Sequence, residues 1–238
     1  MKFPKFIDEY EILARYVPTI VTAVPIIILT GMVKKSVWLS LFRDIQWFLV
    51  VENISISLIA VLFLMQIQRA VAKYCVEQPL FGNELGFPTT TILLFADTSL
   101  SMAMKVRVRK RIKQELGIKL LDSTEETANC DEARRTIRDA IRLVRKRVGK
   151  GTMTHRYNMQ YGFMRNLVAG TFWGLPTALL CSWLLKQQGE FTGAIVAGVI
   201  ALVFGILLVV HRPLLRRAAH NYATVLISEF VDQKGDVQ

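Results

Sequence analysis

Two short segments concentrate positive charge that could bind phosphate groups. Residues 105–150 hold half of the 30 Lys and Arg residues, mostly in 105–113 and 134–147. Arginine outnumbers lysine there, and a guanidinium binds a phosphate through two parallel hydrogen bonds. We therefore predict a polyanion site from the basic side chains of both segments: Lys105, Arg107, Arg109, Lys110, Arg111, Lys113, Arg134, Arg135, Arg138, Arg142 and Arg145.

Two simpler interpretations of this charge stay open. A cationic segment can be only a solvated surface, or it can contact anionic lipid headgroups, an attraction of roughly 1 kcal/mol per residue near a bilayer. Aromatic residues are scarce in 105–150, so base stacking is not expected. The chain also lacks a Walker-type phosphate loop and a recognised nucleic-acid module.

A second polar feature is the pair Glu52 and Asn53, which interrupts an apolar run at 46–67. A carboxylate inside a bilayer is costly and rarely faces lipid. One interpretation is that the pair lines or gates a pore. The other is that Glu52 lies near the outer interface, or pairs with another helix for packing alone.

Enzyme chemistry has little support in the sequence. His155, His211 and His220 are isolated and have no metal-ligand spacing. Asp97 is the best candidate for a catalytic carboxylate, but a helix cap explains it as well. We expect no enzyme activity, no cofactor and no bound metal.

The elements that position these residues are those of an α-helical membrane protein. Apolar runs at 17–32, 46–67, 167–185 and 191–210 predict four transmembrane helices in two hairpins, although the first is short. The last hairpin closes through a short turn, and small residues recur along its second helix. A net charge of +11 in so apolar a chain indicates that the charge is segregated to one side of a membrane.

Between the hairpins we predict a small basic cytoplasmic α(+β) insert. A buried strand is expected at 89–95, then a helix capped by Asp97 or Ser101 that Gly117 ends, and a strand or extended arm at 118–121. The acidic residues 122–126 predict a loop, and Asp131 a cap for a helix to Val148. The predicted regions are therefore 1–67, 68–165, 166–210 and 211–238, the last with its own amphipathic helix.

Charge also predicts the topology. With four spans, both termini and the insert lie on the side that holds most of the basic residues. The positive-inside rule places that side in the cytoplasm.

Four segments resemble a known group of proteins: FPTTTILLFADTSLSMAMKVRVRKRI, TEETANCDEARRTIRDAI, QYGFMRNL and RPLLRRAAHNYATVL. They are similar to small bacterial four-span membrane effectors encoded in anti-phage defence operons beside nucleotidyltransferase-like enzymes. The membrane effectors of Hailong-type systems are the best match, and the four-span effectors of CBASS systems are similar in layout. The resemblance covers most of the chain.

The resemblance implies an effector that is silent in healthy cells and compromises the inner membrane on infection, as in abortive infection. For the Hailong type it implies a homo-oligomeric ion channel, with a tetramer as our working guess, held in check by single-stranded DNA oligomers that the partner enzyme makes. For CBASS it implies activation by a cyclic nucleotide. A membrane scaffold that recruits a soluble partner is the alternative function.

Overall fold

The computed structural model describes residues 9–37, 59, 61–82, 84–149 and 152–233, and within them it is helical without β-strands. Two π-helical segments, Ile12–Tyr16 and Ala72–Glu77, interrupt the α-helices. In chain order the helices are α1 (Glu9–Glu11), α2 (Val17–Val37), α3 (61–71), α4 (Gln78–Phe81), α5 (Pro88–Thr91), α6 (Met102–Leu116), α7 (Ser123–Ala128), α8 (Cys130–Val148), α9 (Thr152–Gln187) and α10 (Phe191–Asp232).

Three helices of the described part are long and apolar enough to cross a membrane, as expected of a membrane protein. They cover Glu9–Leu29, Met153–Gln187 and Phe191–Asp232. The third and fourth predicted spans fall within them, and the first, 17–32, overlaps Glu9–Leu29 over residues 17–29. Of the second predicted span, 46–67, only residues 59 and 61–67 are described, and these are helical.

The turn between α9 and α10 has a clear physical basis. Gly189 has a φ of 79°, a left-handed conformation that suits glycine. Its N–H donates to the carbonyl oxygen of Lys186 at 3.1 Å, and the N–H of Glu190 donates to that of Leu185 at 2.9 Å. These bonds satisfy carbonyl groups that the end of α9 would leave unpaired.

The chain divides into two compact units: the first is Met1–Val76 with Gly162–Arg212, and the second is Glu77–Tyr161 with Pro213–Gln238. In the first unit, small residues allow helices to approach closely. A Cβ at Gly170 would overlap the side chain of Thr22, and one at Gly174 would press on Phe204 at 2.8 Å. Such packing is typical of helices that associate within a bilayer.

A buried amide pair also holds the first unit together. Asn166 Nδ2 donates to the carbonyl oxygen of Ala14, and Gln68 Nε2 donates to the carbonyl oxygen of Asn166, at 2.5 Å and 2.6 Å. Gln68 is 1% exposed and Asn166 is 3% exposed. These bonds connect three parts of the first unit that lie far apart in the sequence.

The core of the second unit forms from one face each of α6, α8 and α10. Val108 and Ile112 of α6 are fully buried, as are Ile137, Ile141 and Val144 of α8. The same core contains apolar side chains from the last part of α10: Tyr222, Ala223, Leu226, Ile227, Phe230 and Val231. Both basic helices are therefore folded elements with an inner face.

The predicted strand at 89–95 is wrong. Pro88 occupies the first turn of the short helix α5, a position that its fixed φ suits, and 92–96 continue as turns. Ile92, Leu93 and Leu94 are buried, so the apolar run reports burial and not extended structure. Residues 118–121, predicted as a strand or an extended arm, form neither a helix nor a strand.

Three predicted boundaries also differ. The acidic residues predicted as a loop form α7, because Asp122 and Glu125 make a reciprocal capping box. Asn129, not Asp131, caps α8, since its side chain accepts from the N–H of Glu132. The fourth span and the separate C-terminal helix are one helix, α10, with Pro213 inside it.

Candidate polyanion-binding surface

The basic residues lie on two helices with well-defined beginnings. Ser101 caps α6 by accepting from the N–H of Met104 at 3.3 Å, and Gly117 ends the helix with a φ of 69°. Because each helix turns one face to the core, the eleven predicted residues point in different directions. Their surroundings divide them into buried, paired and free cations.

Lys105 is buried, so a ligand at the surface has no access to its side chain. It is 1% exposed, and its ammonium group donates to the carbonyl oxygens of Leu94 at 2.6 Å and of Asp97. A further carbonyl, that of Phe95, lies at 3.4 Å. The ammonium group thus satisfies carbonyl groups of the turns that follow α5 by hydrogen bonds.

Arg109 is also an internal residue. Its guanidinium donates to the carbonyl oxygens of Leu93 at 2.7 Å and Leu121 at 2.5 Å, and it pairs with Glu126 at 3.1 Å. It stacks on the ring of Phe95 at 3.9 Å. Burial lowers the pKa of Arg109, although the neighbouring Glu126 carboxylate opposes that shift.

Arg111 points to the other flank of α6. Its guanidinium pairs with Glu115 and donates to the carbonyl oxygens of Val231 and Gln233 at the end of α10. Its side chain is 14% exposed. Arg111 therefore joins two helices and has little surface left for a ligand.

Two arginines of α8 are bound to the loop before α6. Arg145 donates to Thr89 Oγ1 at 2.9 Å, and its guanidinium carbon lies 5.9 Å from the ring centre of Phe87 and 5.8 Å from that of Tyr222. Arg134 donates to the carbonyl oxygen of Leu85 at 3.2 Å.

The remaining predicted cations of α8 have carboxylate partners. Arg142 pairs with Glu84 at 2.6 Å, and this hydrogen bond lowers the pKa of Glu84. Arg138 pairs with Asp139 at 3.0 Å. Arg135 has only a distant partner, Glu132, at 3.9 Å. The outer surface of α8 is thus a mixture of both charges.

Arg107, Lys110 and Lys113 differ from all the others. They are exposed, and none has a hydrogen bond or an ion pair within the part of the chain that the structure describes. Their three-residue spacing places them along one side of α6 over about 9 Å. The single acidic residue of α6, Glu115, is half-buried against Arg111 and Arg147. We call these three residues the α6 cation row.

Sequence reasoning left out a free cation of α8 and misjudged several of the cations that it did select. Lys146 of α8 is exposed and unpaired among the described residues, as an outward position beside Val144 and Val148 could have indicated. Lys105 lies three and seven residues before Val108 and Ile112, so helical periodicity alone places it on the core face. A count of charges ignores this direction.

Glu52 and Asn53 lie outside the described residues. Within the residues described, no group of three or more His, Cys, Asp or Glu side chains could hold a metal ion.

Comparison with known proteins gives no further assignment, since no protein family, no curated protein and no solved structure matches this chain.

Proposed function

We propose that this protein is a membrane effector of bacterial anti-phage immunity. It would form a homo-oligomeric ion channel in the inner membrane, with both termini and the second unit in the cytoplasm. A single-stranded DNA oligomer or a nucleotide signal, made by a nucleotidyltransferase-like partner enzyme, would bind the second unit and control the channel. The resemblance described above supplies the biological setting of this proposal.

The observation that carries the ligand part is the α6 cation row. Its three charges have no acidic neighbour on α6 to neutralise them, whereas the cations of α8 alternate with Glu84, Glu132 and Asp139. An unneutralised row on a folded helix attracts phosphate groups and holds its geometry when they bind. α6 has no aromatic residue, so recognition would be of phosphates and not of bases.

Salt dependence gives this proposal a quantitative form. Each phosphate contact with a single strand contributes about −0.7 to the slope of log affinity against log salt. If all three residues of the row bind phosphates, they contribute about −2 to that slope. Other cations of an oligomer can add to it, but the α6 cation row should account for this part.

The test is a triple variant, Arg107→Gln, Lys110→Gln and Lys113→Gln, compared with the parent protein in detergent. Binding of a fluorescent single-stranded oligodeoxythymidylate is followed by anisotropy over a range of salt concentrations. The matched control removes three cations from α8: Arg135→Gln, Arg142→Gln and Lys146→Gln. We expect the α6 variant to lose most of the affinity and about 2 of the salt slope, and the α8 control to lose much less.

Channel activity needs a separate measurement. The purified protein is placed in liposomes, and ion flux is recorded with a potential-sensitive dye with and without the oligonucleotide. A flux that the oligonucleotide changes supports the proposal. Equal losses in both triple variants would contradict the role of the α6 cation row, and absence of flux in the parent protein would contradict the channel and favour the scaffold function.

A further inference from the structure

The last turn of α10, residues 229–233, is a meeting point of three other helices of the second unit. Two of its carbonyl groups accept hydrogen bonds from a side chain of α6. One of its own side chains accepts from N–H groups of α9. Through α6 it is also connected to α8. We call residues 229–233 the α10 terminal turn.

The contact with α6 is made by Arg111. The carbonyl oxygens of Val231 and Gln233 lie at the end of α10, where helical carbonyl groups lack an intrahelical N–H partner and carry the negative end of the helix dipole. The forked guanidinium of Arg111 donates to both of them. It also lies 5.2 Å from the ring of Phe230, which is fully buried. A cation at this position both satisfies the carbonyl groups and fixes the end of α10.

Glu115 extends this contact to α8. Its carboxylate accepts from Arg111 Nε at 2.5 Å and lies 3.2 Å from Arg147 Nε. The side chain of Glu115 is 17% exposed, so water screens the pair with Arg111 only partly. Arg111 is thus held by Glu115 of α6, which is itself paired with Arg147 of α8.

Glu229 makes the contact with α9. Its two carboxylate oxygens accept from the N–H groups of Met153 and Thr154, both at 3.0 Å. These N–H groups belong to the first turn of α9, where no carbonyl group of the same helix is available to them. A carboxylate there also suits the positive end of the helix dipole. The α10 terminal turn therefore caps α9 while Arg111 caps the turn itself.

This arrangement has a direct relation to the α6 cation row. Arg111 follows Lys110 in the chain and lies one helical turn after Arg107, but it points inward where those two point outward. α9 and α10 are themselves two of the three membrane-length helices. Any shift of α6 that a bound polyanion causes must move Arg111, and with it the end of α10 and the cap of α9.

We propose that Arg111 is a positioning residue that couples polyanion binding at the α6 cation row to α9 and α10 through the α10 terminal turn. The coupling rests on the proposed function, because it needs a ligand on α6 and a flux that the ligand changes. It assigns Arg111 to transmission, not to ligand contact. Removal of its guanidinium should therefore separate binding from gating.

The experiment uses the full chain in liposomes and compares Arg111→Gln with the parent protein. Anisotropy with single-stranded oligodeoxythymidylate should show nearly unchanged affinity, since Arg111 does not face the ligand. The ratio of ion flux with and without the oligonucleotide should approach one, a loss of about tenfold in coupling, which corresponds to about 1.4 kcal/mol. Arg111→Lys keeps the charge but lacks the planar guanidinium that donates to Glu115 and to both carbonyl groups at once, so it should restore only part of the response.

Two further variants make the result decisive. Lys146→Gln removes an exposed, unpaired cation of α8 and should leave both affinity and the flux response as in the parent. Glu229→Ala breaks the cap of α9 without touching Arg111, so it should also uncouple flux from binding, even if Arg111→Gln folds poorly. Normal gating in both Arg111→Gln and Glu229→Ala would overturn the coupling alone. A parent protein that does not bind the oligonucleotide, or whose flux ignores it, would overturn the coupling together with the proposed function.

Discussion

Replacement of Lys105 by methionine tests whether this lysine is part of the core or part of the ligand surface. The sequence predicts Lys105 as a ligand contact, whereas its ammonium group is buried on the carbonyl oxygens of Leu94, Phe95 and Asp97. Methionine has a similar length but cannot donate. The variant therefore removes the hydrogen bonds but keeps a buried apolar side chain of similar length.

The expected cost follows from the contacts. The bonds to Leu94 and Asp97 are the substantial ones, because the third lies at 3.4 Å. A hydrogen bond to a charged group contributes about 1.5 kcal/mol or more, so two of them give about 3 kcal/mol. The variant no longer buries a charge, which offsets part of this loss. We expect a net decrease of about 2 kcal/mol in the free energy of unfolding, or about 4–8 °C in Tm.

The assay is thermal unfolding in detergent, with hydrogen exchange to locate the change in 92–112. Lys110→Met is the matched control, because Lys110 is exposed on the same helix and is unpaired within the described chain. Its effect should stay within about 0.5 kcal/mol. If Lys105→Met were as mild as Lys110→Met and instead weakened oligonucleotide binding, the structural role of Lys105 would be refuted.

Three other changes test separate parts of the structure. Gly170→Ala should destabilise the first unit by about 1–3 kcal/mol because its Cβ would meet Thr22, whereas Gly205→Ala, with open space around its Cβ, should be neutral in unfolding assays. If Gly205→Ala instead lowers the oligomer size in native mass spectrometry, that glycine lies at a contact between copies. Asn166→Leu should cost about 0.6 kcal/mol, and at most about 1.7, from the bond to Ala14, as equilibrium unfolding can measure. The bond from Arg142 depresses the pKa of Glu84, so its stabilisation is complete above the ordinary pKa and is lost as the pH falls through the lowered one; Glu84→Gln should remove this part of the acid-side decrease in Tm.

Local signals in the sequence predict much of the fold. Apolar runs predict the three described membrane-length helices, and Gly117 and Gly189 mark the ends of α6 and α9. The strand at 89–95 fails because β-branched residues in a short apolar run report burial as readily as extension. Helix α7 was not predicted, for a different reason. A run of acidic residues is typical of a solvated loop, but here Asp122 and Glu125 form a capping box that begins a helix.

The candidate site depends on direction more than on composition. Charge alone predicts eleven equivalent cations, but Lys105, Arg109 and Arg111 lie on the core face and flanks of α6, and each finds carbonyl or carboxylate oxygens there. Those partners come from loops and from α10, far along the chain, and a helical pattern cannot reveal them. Without a structure, helical periodicity could have identified only which cations of α6 face outward.

The buried cations and the α6 cation row depend on each other. Lys105 and Arg109 hold the turn before α6, and Arg111 holds the end of α10, so together they fix the orientation of α6 within the second unit. That orientation is what places Arg107, Lys110 and Lys113 on the outside without partners. If every cation of α6 faced a ligand, none would remain to fix the orientation of the helix within the second unit. The internal arginines and the buried lysine therefore form the frame that holds the α6 cation row on the outside.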